Sequence, residues 1–255
     1  MTQLVGLLCK NKQKIVMVAD RMATAPDGLM TINLENKCTQ LNNQVMTLVS
    51  GMFYEPSIFR GIDEDWMSGK SVNEVANKLA DNYNQTRVDR ITKAILNPLG
   101  FPSFEEYHQR QQKLNPSVSQ EIHTRIAQFK IGVDLLLGGF DNQAHVFHIG
   151  EPGTSYCYDQ PGYRCVGIGS KLADPAFAYF KYLPTIDEER AIIIGFEAKK
   201  RAECAIGVGV ETDIWTISKE GISKLPNEKI SILEEYYEEK KNLSEITERI
   251  KSKED

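Results

Sequence analysis

The spacing of apolar residues changes period several times along this chain, and the order of those changes restricts how it can fold. Leu4 to Cys9 and Lys14 to Asp20 are short runs rich in Val, Ile and Leu around a polar Lys10 to Gln13 turn, the pattern of a hairpin of buried strands. A second strand pair, Leu29 to Leu34 and Gln44 to Ser50, flanks Lys37 to Asn43. From Pro56 to about Lys130 the period becomes helical, with Val72, Val75, Ala76, Leu79 and Ala80 on one face. Two helices are expected there, separated by Ile95 to Phe104, whose Pro and Gly residues predict an ordered loop within an insertion at about 95–120. Strands return at Val133 to Gly139, Ala144 to Ile149, Ser155 to Tyr158 and Cys165 to Gly169. Pro175 to Phe180 and Asp187 to Cys204 then read as helices, and Ile214 to Ser218 as the last strand. Two sheets packed on each other and covered by helix pairs satisfy this order, so the predicted class is α+β, a four-layer αββα sandwich. A regular strand–helix alternation, as in parallel α/β folds, does not satisfy it.

The predicted domain spans 1–226, and a charged helical tail follows at 227–255, with Leu243, Ile246 and Ile250 among many charges and Ser244 as a candidate cap. That tail reads equally as a solvated helix or a docking element. The net charge of −5 and scattered Lys and Arg exclude a nucleic-acid partner. No apolar run approaches the ~20 residues of a membrane span and no signal-peptide pattern opens the chain, so a cytoplasmic, non-membrane protein is expected. Five dispersed cysteines predict no disulfide framework, and His145 and His148, three apart in a strand, predict no metal site.

Thr2 is the first candidate for chemistry. Loss of Met1 leaves it with a hydroxyl and a free α-amine on one residue, a nucleophile carrying its own base, because an α-amine has a pKa of about 7.7–8.0. Around it the chain resembles the proteasome β-subunit family of N-terminal nucleophile hydrolases. Thr2-Gln-Leu-Val-Gly6 resembles the mature family start, Val18-Ala-Asp-Arg-Met-Ala-Thr24 the Ala-Asp-Arg-x-Ala-Thr segment, and Asn36-Lys-Cys38 the segment holding the family lysine. Leu135-Leu-Leu-Gly-Gly-Phe-Asp141 resembles a family core strand, and Gly167-Ile-Gly-Ser170 the Gly-Ser-Gly turn. The fourteen positions from Lys37 to Gly51 match the family offset between catalytic lysine and oxyanion-hole glycine.

The residue chemistry agrees with those assignments. An ammonium at Lys37 lowers the pKa of a neighbouring amine, Asp20 keeps a buried lysine charged, and a strand-end Gly51 lets a carbonyl approach its N–H. Read singly, Asp20 and Lys37 also fit a surface ion pair, Gly51 a plain turn, and Ser170 either a bond to the amine or a structural turn. The resemblance further places Glu203 near the catalytic amine, where the family has Asp, and Ile206 where it has Ser. It sets Ala23, Glu35, Thr39, Val49 and Phe53 around the pocket for the residue preceding the scissile bond.

What the resemblance implies is a threonine-type peptidase needing no metal or cofactor, acting on peptide or protein substrates. It also implies a homo-oligomeric ring that encloses the sites and admits an ATP-dependent unfoldase as partner. Only Met1 precedes Thr2, so methionine aminopeptidase is the expected maturation step. Two rivals remain: a catalytically inactive proteasome-like scaffold or regulator, favoured by Glu203, Ile206 and Lys171, and a non-proteolytic amidase or acylase with the same N-terminal chemistry.

Overall fold

The computed structural model describes residues 2–24, 31–33, 37–51 and 56–241. The first hairpin forms as expected from β1 (Gln3–Cys9) and β2 (Lys14–Asp20). The second strand pair differs from the expected one. β3 (Met22–Thr24) pairs with β4 (Thr31–Asn33), and the partner of β6 (Val45–Gly51) is β5 (Cys38–Gln40). The expected strand ends Leu29, Met30 and Leu34 lie outside the described residues. The Asn42 side chain accepts the Gln44 N–H at 2.8 Å, and Leu41 N–H reaches Val45 O at 2.9 Å. That tight turn makes the nearest upstream residues the partner of β6.

The helical block is more divided than two helices. It comprises α1 (Glu64–Met67), α2 (Val72–Ile91), α3 (Phe104–Arg110) and α4 (Pro116–Gln128). A capping box starts α2, with Ser71 and Glu74 satisfying each other's backbone amides. Residues Thr92–Leu96 continue as one wide helical turn and Asn97–Leu99 as one tight turn, where a loop is predicted. Pro98 sits at the start of that tight turn, where its missing N–H costs no bond. Ile91, Ile95, Leu96, Phe101, Tyr107 and Ile122 give this insertion a small core of its own.

The second half contains β7 (Val133–Phe140), β8 (Ala144–Gly150), β9 (Thr154–Cys157), β10 (Tyr163–Gly167), α5 (Ser170–Tyr179), α6 (Glu188–Ala202), β11 (Thr212–Ser218), β12 (Gly221–Lys224) and α7 (Asn227–Lys241). α5 begins five residues before the predicted Pro175, which is usually a first-turn residue but lies inside this helix. β12 adds one strand after the predicted last one, pairing with β11 across the Lys219–Glu220 turn.

The result is an α+β fold with two five-stranded antiparallel sheets, β10-β1-β2-β11-β12 and β5-β6-β7-β8-β9. Strand alternation sorts their side chains among three cores. Leu4, Leu8, Ile15 and Met17 meet Met46, Leu48, Leu136 and Val146 between the sheets. Val5, Leu7, Val16 and Val18 pack on α5, α6 and Ile230 of α7. Leu135, Leu137, Phe147 and Ile149 pack on α2. The tail helix α7 docks on α6, with a Lys200–Glu234 ion pair at 2.8 Å and an edge-on Phe196–Tyr237 contact. The tail residues Leu243, Ser244, Ile246 and Ile250 lie outside the described residues. Among the described residues no helix is long and apolar enough to cross a membrane.

Two tests follow from the packing. Leu136 is fully buried between the sheets, so Leu136→Ala is expected to lower stability by about 2–5 kcal/mol in urea denaturation. His145 is held between Asp159 Oδ2 at 2.5 Å and Asp141 Oδ1 at 3.1 Å. The Asp159 hydrogen bond lifts its pKa above the ordinary 6.5, against the effect of burial. A raised folded pKa stabilises fully below the unfolded value and less as the pH rises through the folded one. The urea midpoint should therefore fall as the pH rises above about 6.5, and His145→Gln should flatten that fall.

Candidate active site

The site lies at the mouth of the gap between the two sheets. Along β1, Leu4 and Leu8 face the gap, and the same phase brings Thr2, just before the strand, to its open end. Asp20 is the last residue of β2 and Lys37 immediately precedes β5. All three are buried. Lys37 Nζ donates to Thr2 Oγ1 at 2.8 Å and to Asp20 Oδ1 at 2.7 Å, so one ammonium bridges the hydroxyl and the carboxylate. Burial pulls the Lys37 pKa below the ordinary lysine value, and the Asp20 charge and hydrogen bond oppose that pull.

Asp20, only 1% exposed, is satisfied from several segments. Its Oδ1 also accepts the Gln3 N–H at 2.9 Å, while Oδ2 accepts the Gly209 N–H at 2.8 Å and the Met22 N–H at 3.2 Å. Hydrogen bonds from this many segments fix the carboxylate in one orientation.

A cavity of about 320 Å³ adjoins Thr2 and is bounded by Gly51, Ser170, Gly167, Asp134, His148 and Arg164 among others. Two glycines permit this approach. Gly51 ends β6 at φ 118°, and a Cβ there would stand 1.9 Å from Gly132 O. Gly167 has φ 109°, and a Cβ there would stand 2.0 Å from Thr2 O. Only glycine meets both conditions. Next to Gly167, the Ile168 N–H donates to Thr2 O at 3.1 Å and anchors the backbone of the candidate nucleophile.

Four sequence-predicted residues thus meet around Thr2, namely Asp20, Lys37, Gly51 and Ser170. Glu203 is not among the described residues that bound the cavity. Its carboxylate binds Lys199 Nζ at 2.6 Å and Lys200 Nζ at 3.0 Å, and Ile206 is 89% exposed. Of the predicted specificity pocket, Glu35, Phe53 and the side chain of Ala23 lie outside the described residues. Thr39 lies on β5, and Val49 packs toward the α2 core. Neither bounds the cavity, and no residue of the 95–120 insertion does so either.

The cavity instead has a charged wall absent from the sequence reading. His148 Nε2 lies 2.9 Å from Asp134 Oδ1, and Arg164 Nη2 lies 3.5 Å from His148 Nδ1. A lone carboxylate in the otherwise apolar β7 and an arginine one residue before the predicted start of β10 were the available signals. No family model matches the chain, and no curated protein matches it in sequence. Among the described residues no group of three or more His, Cys, Asp or Glu side chains is arranged to hold a metal ion.

Lys199 secures the rear of the site. It is fully buried, donates to Val210 O and Glu203 Oε1 at 2.6 Å each, and lies on the loop side that carries Gly209 to Asp20. Burial lowers its pKa, and the Glu203 hydrogen bond opposes this. Lys199→Met leaves Glu203 without its closest buried partner and removes the 2.6 Å bond to the Val210 carbonyl. It should cost about 3 kcal/mol of stability by denaturant titration.

Proposed function

We propose that this protein is an N-terminal threonine peptidase built on the four-layer αββα architecture of proteasome β-like N-terminal nucleophile hydrolases. The observation that carries the reading is Lys37 Nζ bonded at once to Thr2 Oγ1 and Asp20 Oδ1, beside a cavity that Gly51 also bounds. The order of cores, helix on sheet, sheet on sheet, sheet on helix, supports the architecture.

Removal of Met1 turns the Thr2 nitrogen into an amine, which Lys37 disfavours in its charged form. The amine takes the Oγ proton, directly or through a water, as Oγ attacks the substrate carbonyl carbon. The Gly51 N–H receives the negative charge that develops on the carbonyl oxygen. The proton then passes to the leaving nitrogen, the C–N bond breaks, and an ester remains on Thr2. Water adds to that ester with the amine again as base, and the acid leaves as Oγ regains its proton. Peptides or unfolded protein in the cytoplasm are the substrates, and a homo-oligomeric ring, served by an ATP-dependent unfoldase, restricts access to the site. A second reading, a catalytically silent scaffold of the same kind, draws on the engagement of Glu203 by Lys199 and Lys200 and on the exposed Ile206.

Intact mass of untagged protein, before and after a peptide epoxyketone that captures a threonine hydroxyl and amine together, separates the two. The expected result is loss of Met1 and one adduct per chain, absent in Thr2→Ala. Lys37→Met should lower peptide kcat by about 10²-fold or more. Undiminished hydrolysis by Thr2→Ala overturns the mechanism, and retained Met1 without adduct identifies the scaffold. A monomeric mass by light scattering across concentrations counts against the ring.

A further inference from the structure

Arg164 brings a fixed positive charge to the cavity. It is half-buried on β10 and bounds the cavity next to Thr2, yet among the described residues no carboxylate lies within ion-pair distance of it. Its Nη2 lies 3.5 Å from His148 Nδ1, and its buried Nε has no partner among the described residues. The guanidinium carbon lies over the Tyr158 ring, 4.8 Å from its centre, a cation–π contact. Asp134, the nearest acid of the wall, is bonded through Oδ1 to His148, and its side chain is 41% exposed. A bond from His148 Nε2–H to Asp134 leaves Nδ1 as an acceptor, so the imidazole links acid and guanidinium without letting them pair.

Half-buried cations are ordinarily paired, and a planar guanidinium fits a carboxylate in a two-pronged geometry. Ser170, which also bounds the cavity, opens α5, and the preceding Gly169 supplies no side-chain cap to the helix amides. The described wall of the cavity sets Asp134, His148, Arg164 and Ser170 beside Thr2. From this we infer that Arg164 forms a carboxylate subsite, so that the protein selects substrates carrying a carboxylate close to the bond presented to Thr2. The inference rests on the reading of Thr2 as nucleophile for its catalytic meaning, but the binding it asserts stands apart from turnover.

The carboxylate has two sources, an acidic side chain or the free end of a short peptide. Titration calorimetry of the full chain with acetyl-Ala-Ala-Glu-amide, acetyl-Ala-Ala-Ala acid and acetyl-Ala-Ala-Ala-amide distinguishes them. One of the two acids should bind at least tenfold more tightly than the neutral peptide, and which one does so identifies the source. Arg164→Met should bind all three alike, while Arg164→Lys, which keeps the charge and loses the fork, should retain part of the difference. Unchanged thermal midpoints for both variants exclude unfolding as the cause, and a variant that fails to fold leaves the wild-type comparison as the deciding measurement. Equal binding of all three peptides by the wild type overturns the subsite, as does full acid preference in a folded Arg164→Met. The epoxyketone adduct is read in parallel. Acid-dependent binding without an adduct retains the subsite and removes the nucleophile, whereas an adduct without acid-dependent binding does the reverse.

Discussion

The Asp20 carboxylate is the interaction on which the rest of the site depends. A buried carboxylate is costly unless its lone pairs are filled, and Asp20 collects N–H donors from Gln3, Met22 and Gly209 and the ammonium of Lys37. Those donors belong to the start of β1, the exit of β2, the loop after α6 and the approach to β5. One side chain therefore ties together segments nearly two hundred residues apart, and the position of Lys37 against Thr2 Oγ1 is a consequence of that tie. The buried Lys199, bonded to Val210 O, holds the far segment in reach.

The sheets supply rigidity and the gap between them supplies access. Inward-facing residues of β1, β2, β6, β7 and β8 close most of the gap with apolar side chains. At one end the same inward phase presents polar groups instead, and the cavity forms there. Asp134 and Leu136 share a phase along β7, as do Val146 and His148 along β8 and Arg164 and Val166 along β10. The charged wall is thus the polar continuation of the central core.

Much of this was legible in the chain because it depends on local patterns. Period-2 and period-3.6 runs mark most of the strands and the principal helices, and α6 begins at the Asp187 cap within the predicted span. Thr2 stands out by its own chemistry, whereas Asp20, Lys37 and Gly51 stand out through the family resemblance, because read singly they also fit a surface ion pair and a turn. The second hairpin differs from the expected pairing because β5 is only three residues long and has no clear apolar period. The helical turns over 95–99 differ from the expected loop because Pro98 and Gly100 signal a break locally, while the contacts of Ile95, Leu96 and Phe101 that hold those turns come from α3 and α4.

By itself the sequence determined the succession of strand and helix blocks and the α+β class, because hydrophobic period acts locally, while Asp20, Lys37, Gly51 and Ser170 stand out only through the family resemblance. Only the tertiary structure decided where long polar side chains end. Glu203 goes to Lys199 and Lys200 because two buried ammonium groups require a counter-charge in reach. Asp134, His148 and Arg164 come from three different strands, and strand pairing, which joins residues by register rather than by sequence distance, is what assembles them beside the hydroxyl.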